Sequence, residues 1–247
     1  MFDCRRGAES VRIPGSVASS DTHVNLVRAF FSSSIGKKWV VAVTAIVLLG
    51  YVLGHLVGNL QIFLGPERIN AYAAFLHSMP KILWVVRAFL IAAFVLHIVM
   101  TLKLVAENRG ARQSSYERRN SVQARIATRT MALSGLIVLA FVLYHLAQFT
   151  VRVTDARFHS LPRGEFDVYT MVILGFQNLW VSGFYVVAIF LLCLHLSHGL
   201  QSMFQTLGIN SATLRPILMR GGQLIAWAIF LGYVSIPIAV LANVLKI

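Results

Sequence analysis

Five apolar runs, each long enough to cross a bilayer as a helix, constrain this sequence more than any other feature. A hydrocarbon core of about 30 Å needs about 20 apolar residues in an α-helix. The runs cover residues 39–64, 82–106, 128–151, 179–204 and 224–245. They lack the alternation of a barrel strand, and a helix satisfies its own backbone hydrogen bonds within lipid. The sequence therefore predicts an all-α integral membrane protein with five transmembrane helices.

The composition agrees with a membrane protein and excludes several other classes. Hydrophobic residues make up 57% of the 247 residues and charged residues 13%, whereas soluble domains average about 45–50% and about 25%. So few charges could not cover an ordinary soluble enzyme. A net charge of +13 on a soluble protein would indicate nucleic-acid binding. Here the basic residues lie mostly between the apolar runs, so we expect lipid, and no nucleic acid, as a partner.

The segments outside the apolar runs divide the chain into a tail and a membrane domain. Residues 1–26 have no apolar core of the kind a cleavable signal peptide needs. We expect a disordered or cytoplasmic extension there and a transmembrane domain over 27–247. We also expect part of a short helix in the mixed-charge segment 152–167.

One connecting segment, residues 66–80, is amphipathic. We therefore expect it to lie at the membrane interface with one apolar side. The residues near that side are Ile69, Tyr72, Ala73, Phe75 and Leu76.

The distribution of basic residues predicts an orientation. Most of the 22 Lys and Arg residues lie in the N-terminal segment and in the loops 103–129 and 205–223. Cytoplasmic loops of membrane proteins carry the excess of Lys and Arg. The sequence therefore predicts a multi-pass protein with a cytoplasmic N-terminus and an outside C-terminus.

The first four apolar runs each carry one histidine at a similar distance from the point of entry. They are His55, His97, His145 and His195, each about 16 residues, or about 24 Å, into its run. Because successive helices run in opposite directions, the first and third histidines are predicted near the outer face. The second and fourth are predicted near the cytoplasmic face, about 18 Å away.

Two histidines at one depth on two helices are the ligands that a six-coordinate b-type haem needs, because neutral imidazoles bind its iron from both sides. Two pairs therefore predict two haems stacked through a bundle of the first four helices. One buried histidine could equally be hydrogen-bonded to a neighbouring helix, but four matched in depth favour haem. Gly50, Gly54 and Gly58 flank His55, which suits either close approach of a flat macrocycle or helix–helix packing.

Three short stretches point to a family. They are Ser-Ser-Ile-Gly-Lys-Lys at 33–38, His-Leu-Val-Gly-Asn-Leu at 55–60 and His-Leu-Ser-His-Gly-Leu at 195–200. Together with the histidine spacing they resemble the di-haem cytochrome b membrane anchor of succinate:quinone oxidoreductases (succinate dehydrogenase and fumarate reductase), in its single-chain, five-helix form. The resemblance covers about residues 27–247.

The resemblance implies a ligand set. In this family helices one and three hold a distal, outer haem, which implies His55 and His145. Helices two and four hold a proximal, cytoplasmic haem, which implies His97 and His195.

A second histidine, His198, competes with His195 for the fourth ligand position. The family's ligand precedes a glycine by four residues, as His195 precedes Gly199. The resemblance therefore favours His195, and His198 would form a hydrogen bond near the proximal haem or the partner subunit.

The resemblance also implies cofactors and partners. The chain would hold two haem b groups and react with a quinone, and the resemblance favours menaquinone. A flavoprotein subunit with FAD would oxidise succinate, and an iron–sulfur subunit would pass the electrons on, so this chain would have no catalytic residue for succinate. Such a respiratory complex II lies in the bacterial cytoplasmic (inner) membrane, and its assembly into a higher oligomer is left open.

Four residues are quinone-binding candidates by the same resemblance. Ser34 and Lys38 match the Ser and Arg of a cytoplasmic quinone motif in mono-haem relatives, although lysine lacks the planar fork of arginine. Glu67 and His77 lie where di-haem relatives place an ionisable residue near the outer face. The plainer roles are a membrane-surface lysine for Lys38 and a helix cap for Glu67.

Two alternative functions stay open on the sequence. The first is the haem b anchor of another quinone-linked dehydrogenase, which the His-Leu-Val-Gly-Asn-Leu stretch disfavours. The second is a haem-free proton or metal transporter. Two histidines per layer are few for a tight metal site without carboxylate or thiolate ligands.

Overall fold

The computed structural model describes residues 28–110, 122–164, 166–209 and 211–247, with side chains everywhere in these ranges except 122–130. The N-terminal extension predicted for 1–26 lies outside the described residues. Within them the chain is helical, with no strand, and 85% of it is helix. The predicted all-α membrane fold is therefore confirmed.

Five helices among the described residues are long and apolar enough to span a membrane, as predicted. They are α1 (Ser34–Leu60), α3 (Pro80–Gly110), α4 (Val122–His145), α6 (Leu179–Thr206) and α7 (Leu214–Leu241). A 3₁₀ turn at Gln61–Leu64 extends α1, and a π turn at Leu146–Thr150 extends α4. Two shorter helices, α2 (Pro66–His77) and α5 (Val168–Phe176), lie between spanning helices.

The last helix differs most from its predicted span. It begins at Leu214 rather than at 224, and it passes through Pro237 to end at Leu241. Its first turns carry Arg215 and Arg220. Hydropathy reports only the apolar part of a helix, so these polar first turns were missed.

The start of α1 depends on a cap and a close backbone contact. The hydroxyl oxygen of Ser33 accepts a hydrogen bond from the backbone N–H of Gly36 at 2.9 Å, which satisfies one of the free donors of the first turn. A Cβ atom on Gly36 would lie 1.9 Å from the carbonyl oxygen of Phe30. Glycine is therefore required where the preceding turn, residues 28–32, folds against the helix.

The spanning helices form an antiparallel bundle. Lys37, near the start of α1, forms an ion pair with Glu107, near the end of α3. Leu200, late in α6, contacts Gly222, early in α7. We call the end of the bundle that carries these contacts the open end. The opposite end, where α2 and α5 pack together, we call the capped end.

The capped end contains the larger hydrophobic core. Buried residues of α5, α6 and α7 meet there with Ile62 and Ile69. The α5 helix is almost completely buried, from Tyr169 to Phe176. At the open end the second core cluster is small, with Ala42, Leu200 and Met203 as its buried members.

Residues 66–80 form the predicted helix, α2, over most of their length, and Ile69 and Ala73 on it are buried. Tyr72 and Leu76 are half-buried, and Phe75 is 59% exposed. The short helix expected in 152–167 is a 3₁₀ turn at Ala156–His159.

A buried carboxylate joins α2 to α5. Asp167 is fully buried and accepts hydrogen bonds from the Asn70 side chain at 3.0 Å and from the backbone N–H groups of Thr170 and Arg163. Asn70 in turn accepts from the backbone N–H of Tyr169. Burial by itself would raise the pKa of Asp167, but these hydrogen bonds outweigh it and lower the pKa below its usual value of 3.8.

Candidate functional site

The first histidine pair lies towards the capped end. His55 of α1 and His145, the last residue of α4, have ring centroids 5.8 Å apart and ring planes at 80°. The two side chains come from helices that are not sequence neighbours, and the structure brings them together.

A hydrogen-bond chain links His145 to Gln148 through Tyr185. The phenol oxygen of Tyr185 lies 3.2 Å from Nδ1 of His145 and 2.9 Å from Oε1 of Gln148. A hydroxyl has one hydrogen to donate. When Gln148 accepts it, Nδ1–H of a neutral His145 donates to the Tyr185 oxygen and Nε2 keeps its lone pair.

His55 is held mainly by aromatic neighbours. Its ring stacks on Tyr51, one turn earlier in α1, with centroids 5.4 Å apart. The ring of Tyr233, from α7, lies 6.1 Å away, and its hydroxyl donates to the carbonyl oxygen of Val52 at 2.7 Å. Two tyrosines from two helices thus fix the position of this imidazole.

His97, on α3, makes a hydrogen bond across to α1. Its Nδ1 lies 3.1 Å from the hydroxyl oxygen of Thr44. That hydroxyl donates to backbone carbonyl oxygens one turn earlier in α1, at 2.8 Å and 3.0 Å. When a carbonyl oxygen accepts the single Thr44 hydrogen, Nδ1–H of a neutral His97 is the donor and Nε2 is free.

His195, on α6, repeats the arrangement against α4. Its Nδ1 lies 3.2 Å from the hydroxyl oxygen of Ser134, which donates to the carbonyl oxygen of Met131 at 3.1 Å. Gly135 is next to this contact, and a Cβ atom there would lie 3.4 Å from Cε1 of His195. His97 and His195 are the second candidate pair.

The two pairs lie at different levels of the bundle. Thr44 marks the level of His97 on α1, and His55 lies about three helical turns further along that helix. At 1.5 Å per residue the two levels are about 16 Å apart, close to the separation of about 18 Å predicted from the sequence.

The donor set suits a haem iron better than an isolated metal ion. No group of three or more His, Cys, Asp or Glu side chains that could hold a metal ion occurs within the described residues. A structural zinc site needs four such ligands. A bis-histidine haem needs two, each donating Nδ1–H to a neighbour and presenting Nε2. Nδ1 of three of the four histidines lies at hydrogen-bond distance from such a neighbour.

Among the described residues, the helices that carry each histidine pair do not pack closely against each other. Close backbone packing joins α1 to α3, α4 to α6 and α6 to α7. The pairs that would share a haem, α1 with α4 and α3 with α6, are not among the closely packed helices in the described part of the chain. Gly50 and Gly54 on α1 face open space, with no atom within 4 Å of a Cβ placed there. This side of α1 is therefore open in the structure.

Gly58 has a different role from the two glycines before it. A Cβ atom on Gly58 would lie 2.9 Å from Cε1 of Tyr72. This glycine therefore allows α2 to pack against the end of α1, and of the two roles considered for the glycines the packing role applies here.

His198 points to a different partner from His195. Its Nδ1 lies 2.8 Å from the carbonyl oxygen of Leu194 on its own helix. No hydrogen bond from His198 to a second helix is present among the described residues. The two histidines therefore have different hydrogen-bond partners.

The four quinone candidates do not form one site. Ser34 and Lys38 are exposed in the first turns of α1, at the open end. Glu67 and His77 are exposed on α2, at the capped end. His77 donates Nδ1–H to the carbonyl oxygen of Ala73 at 2.8 Å, and its ring lies 4.8 Å from that of Phe166.

Sequence reasoning missed the hydroxyl and amide partners of the histidines. These partners are Thr44, Ser134, Gln148 and Tyr185. Each is a polar residue inside an apolar run, which is the signal that could have found them. It also missed Lys37, which is buried and paired with Glu107 while Lys38 is exposed.

Comparisons of the chain with family models, curated proteins and solved structures found no match to any of them.

Proposed function

We propose that this chain is the membrane anchor and electron-transfer subunit of a succinate dehydrogenase, respiratory complex II. In this role it passes electrons from an iron–sulfur subunit through two b haems to a membrane quinone. The proposal rests on the resemblance of residues 33–38, 55–60 and 195–200 to that family and on the geometry of the four histidines.

The observation that carries the proposal is the hydrogen-bond geometry of three histidines. Nδ1 of His97, His145 and His195 each lies 3.1 to 3.2 Å from a hydroxyl oxygen on another helix. Metal-ligating histidines are held in this way, with Nδ1–H donated to a neighbour and Nε2 left for the metal. The same contact on three histidines of the bundle supports a ligand role.

His55 and His145 would hold one haem, and His97 and His195 the other. Bound haem supplies a one-electron carrier at each level. The residues of this chain hold the imidazoles in place and, through the apolar walls of the bundle, exclude water from the carriers. Electron exchange over the distance between the two levels then needs no side chain to move.

Orientation and partners follow from the charge distribution. The basic open end would face the bacterial cytoplasm and dock the iron–sulfur and flavoprotein subunits, with FAD and the iron–sulfur clusters only in those subunits. A quinone, which we propose is menaquinone, would react near Glu67 and His77 at the capped end or near Ser34 and Lys38 at the open end.

The first test is a pyridine haemochrome assay on the purified complex, with haem per chain as the measured quantity. We expect about two b haems per chain. One haem would mean that one pair is assigned wrongly. No haem would overturn the proposal and favour a transporter, for which proton or divalent-metal uptake into vesicles is the next measurement.

A test of the partners is co-purification of the untagged neighbours with an affinity-tagged chain. We expect a flavoprotein with covalently or tightly bound FAD and an iron–sulfur protein, and succinate-dependent reduction of a quinone analogue by the complex. A different dehydrogenase activity in the purified complex would support the alternative anchor function instead.

A further inference from the structure

The capped-end histidine pair has a second layer of support that the open-end pair lacks. At the open end each imidazole contacts a Thr or Ser hydroxyl, and that hydroxyl reaches a backbone carbonyl oxygen of its own helix. At the capped end the imidazole contacts a phenol, and a side-chain amide lies behind the phenol. The hydrogen-bond chain thus runs from His145 on α4 to Tyr185 on α6 and back to Gln148 in the turn after α4. It holds the His145 ring in place more firmly than a single hydroxyl can.

Ring packing fixes the position of the Tyr185 oxygen. Tyr185 is 3% exposed. Its ring makes edge contacts with Phe176 at 4.9 Å and Phe141 at 5.1 Å. Because these rings come from three different helices, the phenol cannot swing away without opening the core of the capped end.

Gln148 is fixed as well. It is 2% exposed and lies in the π turn that begins directly after His145. Gly175 of α5 lies so close that a Cβ there would be 3.1 Å from Nε2 of Gln148. Turns of this kind are frequent at functional sites, and this one keeps the amide oxygen of Gln148 against the Tyr185 hydroxyl.

We propose that Tyr185, oriented by Gln148, is a positioning residue for His145 and lowers the midpoint potential of the haem that His55 and His145 hold. This inference rests on the proposed function. A hydrogen bond from Nδ1–H makes an imidazole a more basic ligand, and a more basic ligand stabilises the oxidised, more positively charged iron. Hydrogen bonds in a chain polarise one another, so Gln148 strengthens the effect of Tyr185.

The test is a redox titration of the haem absorbance in the intact complex, with Tyr185→Phe compared with wild type. This variant keeps the ring and removes the hydroxyl. At the wild-type midpoint of the affected haem, we expect the ratio of reduced to oxidised haem to rise about tenfold, which equals about 59 mV for one electron. The low-temperature electron paramagnetic resonance signal of the same haem should shift, and the other haem should keep its midpoint potential.

Three further variants make the result specific. Tyr144→Phe is the matched control, because the Tyr144 ring packs on Phe184 and its hydroxyl makes no hydrogen bond among the described residues. Gln148→Leu should move the same haem in the same direction by a smaller factor. Ser134→Ala should move the other haem, which identifies the component that belongs to His97 and His195.

The outcomes separate this inference from the function on which it rests. Two haems in wild type and unchanged midpoint potentials in both Tyr185→Phe and Gln148→Leu would overturn the inference and leave the proposed function standing. An equal shift in Tyr144→Phe would also overturn it. Absence of haem from the wild-type chain would overturn both.

Discussion

The capped end and the open end of the bundle hold their histidine pairs by different means. At the capped end, His55 and His145 are surrounded by tyrosine and phenylalanine rings from four helices. The short helices α2 and α5, which we call the lid, cover this end of the bundle. At the open end, His97 and His195 rely on one hydroxyl each and a small apolar cluster. One histidine pair is thus supported by an extensive packed core and the other by local contacts.

This difference predicts how far the structural effect of a substitution extends at each end of the bundle. A buried core transmits strain, because its side chains interdigitate closely. A change near His145 should therefore disturb both ligand geometry and the stability of the capped end. A change near His195 should disturb mainly the ligand itself.

The largest effect is expected for the ligands themselves. On the proposed function, His195→Ala should leave the purified chain with about half of its haem, because it would remove one of the two axial nitrogens proposed for the open end. His198→Ala, one turn away, is the control and should retain about two haems per chain. Haem per chain by pyridine haemochrome measures both, and a loss of haem in His198→Ala alone would reverse the assignment.

The second largest effect is expected for the hydrogen bonds of Asp167, which join α2 to α5. Asp167→Ala removes the acceptor of hydrogen bonds from Asn70, Thr170 and Arg163 and leaves buried donors unsatisfied. We expect a loss of about 3 kcal/mol in the free energy of unfolding. Unfolding in mixed detergent micelles, followed by circular dichroism, measures it.

A half-buried aspartate provides the comparison for that prediction. Asp155 forms an ion pair with the exposed Arg157 and accepts a hydrogen bond from its backbone N–H as the cap of the 3₁₀ turn. Asp155→Ala should therefore cost about 1 kcal/mol. Equal effects of the two substitutions would show that the lid contributes no more to stability than a surface loop does.

Loss of the ion pair at the open end should lower the free energy of unfolding by less than loss of the Asp167 hydrogen bonds. Lys37→Met leaves Glu107 unpaired, but Glu107 is half-exposed and can be solvated. We therefore expect a loss of about 1 kcal/mol, and Lys38→Met should have almost no effect because Lys38 is exposed. The same unfolding measurement on both variants tests this, and a larger loss for Lys38→Met would contradict the assignment.

The smallest effect expected is the pH dependence of the stability that Asp167 contributes. Asp167 has a folded-state pKa below the unfolded value of 3.8, so its contribution to stability is present above that value and is lost as the pH falls through the folded pKa. Wild-type stability should therefore decrease below about pH 4 more steeply than that of Asp167→Asn. Parallel curves for the two proteins would show that the carboxylate charge contributes nothing.

Local sequence was enough to predict the helices and the level of each histidine. Apolar length predicts a spanning helix because lipid leaves the backbone no other hydrogen-bond partner. A residue's depth then follows from its number, since rise per residue is constant. The start of α7 at Leu214 was missed because helix extends beyond the apolar stretch that hydropathy measures.

The sequence by itself thus determined the five spanning helices and the placement of His55, His97, His145 and His195 at two depths. Only the tertiary structure decided which hydroxyl meets each imidazole, that Lys37 rather than Lys38 is buried, and that Gly58 packs on Tyr72. The physical reason is that these contacts depend on the rotation and separation of neighbouring helices. The rotation and the separation are set by the packing of many side chains at once. They cannot be predicted from the periodicity of one helix.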